Sequence, residues 1–91
     1  MTRRSRLEIC FDILAVINGG LNKPTLIMYK TNLSWSVLHD IFNTLINNGF
    51  IKEETRLSSK RYYVTVKGTN ALSYYLKSLD GLSEVNEIFS K

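Results

Sequence analysis

The stretch between Ser34 and Ile51 constrains the fold of this chain more than any other part of the sequence. Apolar residues recur there at spacings of three and four, the period of one face of an α-helix. They are Leu38, Ile41, Phe42, Leu45 and Ile46. Ser34 suits the N-cap of this helix and Gly49 its end, so a helix is predicted from about Trp35 to Asn48.

Directly after Gly49 the pattern changes from a helical period to that of β-structure. Residues 50–54 and 61–66 are rich in β-branched and aromatic side chains, which favour strands. The polar segment 55–60 between them is short. The two segments therefore predict a β-hairpin that follows the helix at once.

Two further helices are predicted before the long one. Residues 5–18 are densely apolar, and Ser5 with Glu8 three positions later forms the pattern of a capping box. The glycine pair at 19–20 ends this helix.

The second helix begins at Pro24, because proline fits the first turn of a helix. It is predicted to run for about two turns, with Leu26, Ile27 and Tyr29 packing inward. Thr31 and Asn32 then form a polar turn.

The last segment is predicted to be helical from near Asn70. Its residues at spacings of three and four follow the seam of a coiled coil. They are Leu72, Tyr75, Leu79, Leu82, Asn86 and Phe89. Asp80 and Gly81 interrupt the pattern and are a candidate break. The seam could cover the chain's own first helix or a second copy, and we favour the second copy, since the earlier elements already supply a small core.

The order helix, helix, turn, helix, hairpin, helix is that of a winged helix-turn-helix. The predicted fold class is therefore α+β, mainly α, with a two-stranded β-hairpin wing and a C-terminal dimerisation helix. We expect a winged-helix DNA-binding domain over residues 1–68. The helical dimerisation segment, residues 69–91, is expected to pack on the same domain.

Three segments of the chain resemble small archaeal winged-helix proteins. Residues 4–9 are similar to their Arg-Ser-x-x-Glu-Ile start, and residues 27–34 to their Ile-Met-Tyr-Lys-x-Asn-Leu-Ser segment. Residues 63–68 are similar to their Tyr-x-Leu-Thr-x-Lys-Gly wing exit. The resemblance implies a dimeric DNA-binding protein whose last helices pair as an antiparallel coiled coil.

In such a fold the third helix lies in the major groove and its N-terminal part reaches base edges. Asparagine can pair with adenine there, and serine is a tolerant partner. No Lys or Arg occurs between Ser34 and Asn48, and Asp40 would repel phosphate, so the phosphate contacts must come from elsewhere. The candidates for them are Lys23 and Lys30, which flank the second helix, and the hairpin cations Arg56, Lys60 and Arg61. The candidate DNA-binding residues are Lys30, Thr31, Asn32, Ser34, Trp35, Ser36, His39, Asn43, Arg56, Lys60 and Arg61.

The composition, 44% hydrophobic and 22% charged residues, is that of an ordinary globular protein. Residues 1–65 carry nine Lys and Arg against five Asp and Glu, so the basic surplus belongs to the winged-helix part. No apolar run is long enough to span a bilayer. We expect a cytoplasmic protein whose partners are double-stranded DNA and a second copy of itself, with no membrane and no small-molecule substrate.

The sequence offers little for catalysis or cofactor binding. Cys10 is the single cysteine and is expected to be a small core residue, and His39 is the single histidine. Glu53 and Glu54 are adjacent in a strand, so they point to opposite faces. We therefore expect neither an enzyme nor a cofactor or metal. The rival interpretation is a winged-helix module for protein–protein contact, favoured by the cation-free third helix.

Overall fold

The structure is a computed structural model that describes the backbone of residues 5–89 and the side chains of residues 5–79. This part of the chain folds into four helices and one two-stranded antiparallel sheet, which is mainly helical α+β as predicted. The elements are α1 (Arg6–Asn18), α2 (Pro24–Thr31), α3 (Trp35–Asn47), β1 (Ile51–Arg56), β2 (Ser59–Val64) and α4 (Val66–Phe89). Among these helices, none is both long and apolar enough to cross a membrane.

A single apolar core joins the helices to the hairpin. Helix α1 packs against α2, α4 and β2, while α3 packs against β1. Burying each aliphatic side chain of this kind stabilises the fold by about 1.5–3 kcal/mol. The buried apolar residues are Ile13, Leu14, Ile17, Ile27, Leu38, Ile41, Phe42, Leu45, Ile51, Tyr62 and Leu72.

The predicted helix caps are present. The backbone N–H of Glu8 donates to Ser5 Oγ at 3.1 Å, and Glu8 Oε1 accepts from the backbone N–H of Ser5 at 3.5 Å. At α3, Ser34 Oγ accepts from the backbone N–H of Val37 at 3.2 Å. Both helices therefore begin where a side chain satisfies a free backbone donor.

Helix α2 buries a narrower face than the sequence predicts. Ile27 is buried as expected, but Leu26 is exposed and Tyr29 is 88% exposed, so the inward packing predicted for these two residues is wrong. The buried face consists of Ile27 and Thr31, which lie four residues apart. A two-turn helix has one such face, and Leu26 and Tyr29 lie on other sides of it.

The hairpin is longer and its turn tighter than predicted. The strands pair from Ile51 opposite Val64 to Arg56 opposite Ser59, which leaves only Leu57 and Ser58 as the turn. The predicted polar connection 55–60 is therefore mostly strand. We call this hairpin, residues 51–64, the wing.

Helix α4 begins at Val66, four residues before its predicted start. The Thr65 hydroxyl donates to the carbonyl of Gly49 at 2.6 Å, and its oxygen accepts the N–H of Gly68 at 3.1 Å, so it caps the helix. Gly68 allows this close approach, because a Cβ there would lie 2.1 Å from the Phe50 carbonyl oxygen. The helix continues through Gly81, so the candidate break there is wrong.

The predicted dimerisation seam divides between two environments. Leu72 is buried in the core of its own chain, and Tyr75 stacks on Phe11 of α1 with ring centroids 4.0 Å apart. The assignment of Leu72 to a dimer contact is therefore wrong, because α1 already covers it, and much of Tyr75 is covered in the same way. Leu79, which follows Leu72 by two helical turns on the same stripe, is 42% exposed. The remaining seam positions, Leu82, Asn86 and Phe89, lie outside the residues whose side chains are described.

Candidate nucleic-acid interface

Helix α3 presents a polar stripe on the side opposite the core. Ser36, His39 and Asn43 are exposed on this stripe, at spacings of three and four. Trp35 is half exposed at the start of the helix, and its ring centroid lies 6.1 Å from that of His39. The stripe therefore offers hydrogen-bonding groups and aromatic edges on one accessible surface.

Three exposed candidates precede α3: Lys30 in the last turn of α2, Asn32 at its C-cap and Ser34 at the N-cap of α3. Asn32 ends α2 in the left-handed region, with φ 55° and ψ 40°, and its backbone N–H donates to the carbonyl of Met28. Asparagine tolerates this conformation better than most residues. This tight turn sets Lys30 and Ser34 close in sequence to the positive end of the α3 dipole.

Thr31 does not belong to this surface. Its side chain is only 6% exposed, and its hydroxyl donates to the carbonyl of Ile27 at 2.7 Å. The prediction that Thr31 contacts DNA is wrong, because this residue is the buried end of α2. The sequence suggested an exposed turn residue because threonine is common in turns.

Arg6 of α1 lies beside α3, which the sequence analysis did not predict. Its Nη1 donates to Asp40 Oδ2 at 2.8 Å, and its Nη2 donates to Thr44 Oγ1 at 2.9 Å. The hydrogen bond and the charge of Asp40 raise the pKa of Arg6 above its ordinary value. The guanidinium therefore offsets the one negative charge on the exposed face of α3.

The register of the wing divides the three cations near its tip, Arg56, Lys60 and Arg61, between two faces. Residues directly opposite each other share a face, and alternate residues along a strand point to opposite faces. Ile51 and Tyr62 are buried, so the face that carries them is the inner one. Lys60 lies on this inner face, whereas Arg56 and Arg61 lie on the outer face.

The ion pairs within the wing are long and exposed. Lys60 Nζ lies 3.7 Å from Glu53 Oε1, and Arg56 Nη2 lies 3.7 Å from Glu54 Oε2. Exposed pairs of this kind contribute little free energy and are screened by salt. Phosphate oxygens can therefore replace these carboxylates at small cost.

An aromatic stack holds the wing against α3. The ring of Tyr62 lies over that of Phe42, with centroids 4.1 Å apart, and Tyr62 is only 3% exposed. Its hydroxyl donates to Glu53 Oε2 at 2.8 Å. Burial, followed by the hydrogen bond and charge of Glu53, raises the pKa of this phenol well above its ordinary value. This stack therefore sets the position of the wing relative to the exposed stripe of α3.

Cys10, expected to be a small core residue, lies at the edge of the core. It is half buried against apolar neighbours, and desolvation raises the pKa of its thiol, while the nearby charge of Arg6 acts in the opposite direction. A thiol with a raised pKa is a poor nucleophile at neutral pH.

Three helices followed by a hairpin and a fourth helix define the winged helix-turn-helix class. The family model described as winged helix-turn-helix matches residues 3–84, and the chain belongs to this family.

Its relatives include archaeal proteins. The uncharacterized protein MJ0287 of Methanocaldococcus jannaschii is 41% identical over 66 residues, which cover 66% of this chain and 68% of that protein. Sso10a-2, a DNA-binding protein from Sulfolobus solfataricus, is similar with a TM-score of 0.72 and 25% identity, over 96% of this chain and 94% of that one. AF1382 from Archaeoglobus fulgidus also has a TM-score of 0.72, with 21% identity over 82% of this chain and 88% of that one.

Proposed function

We propose that this protein is a DNA-binding regulator or chromatin-associated protein that binds duplex DNA as a homodimer. Helix α3 enters the major groove, and the wing contacts the phosphates beside it. The observation that carries the proposal is the pairing of an exposed polar helix face with an adjacent cationic hairpin, the two joined by the Tyr62–Phe42 stack.

Base contacts are assigned to the exposed stripe of α3. Asn43 can donate to and accept from adenine, Ser36 tolerates several bases, and His39 has donor and acceptor nitrogens. Each good bidentate contact discriminates against a wrong base by about 1–3 kcal/mol. In this proposal sequence discrimination depends on α3.

Phosphate contacts are assigned to the wing and to the start of α3. Arg56 and Arg61 on the outer face and Lys60 on the inner face supply three cations within six residues. Lys30, in the last turn of α2, is a further candidate cation. The N-terminus of α3 itself offers backbone N–H groups and a helix dipole that favour anions. Each phosphate neutralised by a cation releases counterions, so affinity must fall with salt.

Asp40 is compatible with this proposal because of Arg6. An unpaired carboxylate on the groove-facing side of α3 would repel the phosphates, whereas the 2.8 Å contact to Arg6 makes the pair formally neutral. The negative charge on α3 is therefore only a weak argument for the alternative of a protein-binding module.

Dimerisation is assigned to the exposed part of the α4 seam. Leu79 continues the stripe of Leu72 and Tyr75 beyond the region that α1 covers. A second α4 packed there would bury this residue and place two copies of α3 against successive major grooves. Sedimentation equilibrium should give a dimer, and Leu79→Asp should give a folded monomer. A monomeric wild type would refute this part of the proposal.

The decisive experiment is a fluorescence-anisotropy titration of a random duplex at several salt concentrations. We expect log affinity to fall linearly with log salt, with a slope of about −0.9 per phosphate contacted. If Arg56, Lys60 and Arg61 of both wings in a dimer each contact one phosphate, the slope would be about −5. Flat or undetectable binding at low salt would refute DNA binding and favour the protein–protein module.

A further inference from the structure

Among the side chains of residues 5–79, Leu57 at the tip of the wing is the most exposed large apolar one. Its side chain is 103% exposed, so it packs against nothing in its own chain. Its backbone has φ 55°, in the left-handed region that Gly and Asn adopt more readily. A leucine here therefore costs free energy twice, through exposed apolar surface and through its backbone conformation.

The surroundings of Leu57 are cationic on both faces of the hairpin. Arg56 directly precedes Leu57 and lies with Arg61 on the outer face, while Lys60 lies on the inner face. The side chain of Arg56 is well exposed, as is that of Lys60. An apolar tip between two cationic faces fits a groove that has stacked bases at its floor and an anionic rim on each side.

We propose that Leu57 is a wedge that enters the minor groove of duplex DNA and partly unstacks one base step, bending the duplex. This inference rests on the proposed function. Leucine is among the side chains that proteins insert between base steps, and such insertion bends DNA by about 20–90°. The phosphates on the two sides of the narrow groove would meet Arg56 and Arg61 on one face of the wing and Lys60 on the other.

The wedge requires a deformable base step. Pyrimidine–purine steps such as TA unstack more easily than the steps of an A-tract. The wing would therefore prefer a flexible step at the position of Leu57 without making any hydrogen bond to a base. This preference is separate from the discrimination assigned to α3.

The test compares Leu57→Ala and Leu57→Gly with the wild type on end-labelled duplexes that carry one TA step or an A-tract. Bending is measured by energy transfer between the ends, and unstacking by the fluorescence of 2-aminopurine at the step. We expect both signals to be lost in the two variants, with affinity for the TA duplex lower by about tenfold. Leu57→Met should retain both signals, because its side chain has a similar length and is apolar.

Leu26→Ala is the matched control, because it removes another exposed leucine outside the wing. It should leave bending unchanged. Leu57→Gly should also be at least as stable as the wild type, because glycine adopts a positive φ at no steric cost. A stable glycine variant that no longer bends DNA would show that the leucine serves binding rather than folding.

Three outcomes separate the possible failures. If the wild type does not bind duplex DNA in a salt-dependent way, the proposed function fails and the wedge with it. If the Leu57 variants bind and bend DNA like the wild type, only the wedge is refuted. If they bend DNA normally but lose binding to phosphatidylserine vesicles, the tip inserts into an anionic lipid surface instead.

Discussion

Helix α3 and the wing lie side by side but are built from different chemistry. The exposed stripe of α3 carries Ser36, His39 and Asn43 and no cation, whereas the wing concentrates Arg56, Lys60 and Arg61 around its tip. Helix α3 therefore carries the hydrogen-bonding side chains, and the wing carries the positive charge. In many recognition helices a single Arg or Lys supplies both.

In the proposed function, this difference assigns affinity to the wing and selectivity to α3. Phosphate contacts position a protein on the duplex, and contacts to base edges specify the site. Substitutions in the wing should weaken binding to every duplex, and substitutions in α3 should act at a preferred site only. The following predictions test that division, from the largest expected effect to the smallest.

Tyr62→Ala should disconnect the two elements and have the largest effect. It removes a buried ring stacked on Phe42, and such truncations cost about 3–5 kcal/mol of unfolding free energy. Tyr62→Phe, the matched control, keeps the ring and should lose only about 1 kcal/mol. Urea unfolding followed by circular dichroism measures both. Equal losses in the two variants would contradict a role for the stack.

Alkaline pH should weaken the same junction. The pKa of Tyr62 is raised in the folded state, so its contribution to stability is complete below the unfolded pKa of about 10 and is lost as the pH rises above that value. The unfolding free energy of the wild type should therefore fall more steeply above about pH 10 than that of Tyr62→Phe. Parallel curves would contradict this assignment.

Replacing Arg56, Lys60 and Arg61 by alanine should lower affinity for any duplex by about a hundredfold or more at 0.1 M salt. The slope of log affinity against log salt should become less negative by about 0.9 for each removed cation that contacts a phosphate. Lys77→Ala, which removes an exposed charge from α4, is the control and should change little. Unchanged affinity in the triple variant would refute the assignment of phosphate binding to the wing.

Asn43→Ala should lower affinity about tenfold at a preferred site and leave binding to random duplexes unchanged. The preferred site is first obtained by selection from a random library, and both affinities are then measured by anisotropy. His39→Ala provides a neighbouring comparison on the same stripe. An equal loss on both kinds of duplex would mean that α3 contributes affinity rather than selectivity.

Asp40→Asn should have the smallest effect, a gain in affinity of a few fold. It removes the negative charge from α3 and frees the guanidinium of Arg6 to approach phosphate. The melting temperature should change little, because the pair is exposed and such pairs stabilise weakly. Arg6→Ala is the converse variant and should lower affinity. A loss of affinity in Asp40→Asn would instead point to a contact made by the carboxylate.

Most of the helices and both strands could be predicted because their signals are local. Apolar spacing in α3, the capping box of α1 and the proline of α2 each depend on residues a few positions apart. The start of α4 at Val66 could not be predicted from local patterns, because its threonine cap also depends on the contact of Thr65 with Gly49 and on the close approach of Gly68 to Phe50.

The candidate site was predicted in part. The exposed positions of Ser36, His39 and Asn43 follow from the buried stripe on the other side of α3. Their contact with DNA remains a prediction. Thr31 could not be assigned correctly, because its burial depends on how the whole of α2 lies against the core.

The positions of the helices and of the hairpin, and the polar stripe of α3 without cations, follow from local sequence patterns. The contacts of α4 with α1, the pairing of Arg6 with Asp40 thirty-four positions away, and the two cationic faces around an exposed Leu57 became visible only in the folded chain. The two groups of features differ in the sequence range of the interactions behind them. Helical period and capping act within one or two turns, whereas these pairings require the packing of elements that are distant in sequence.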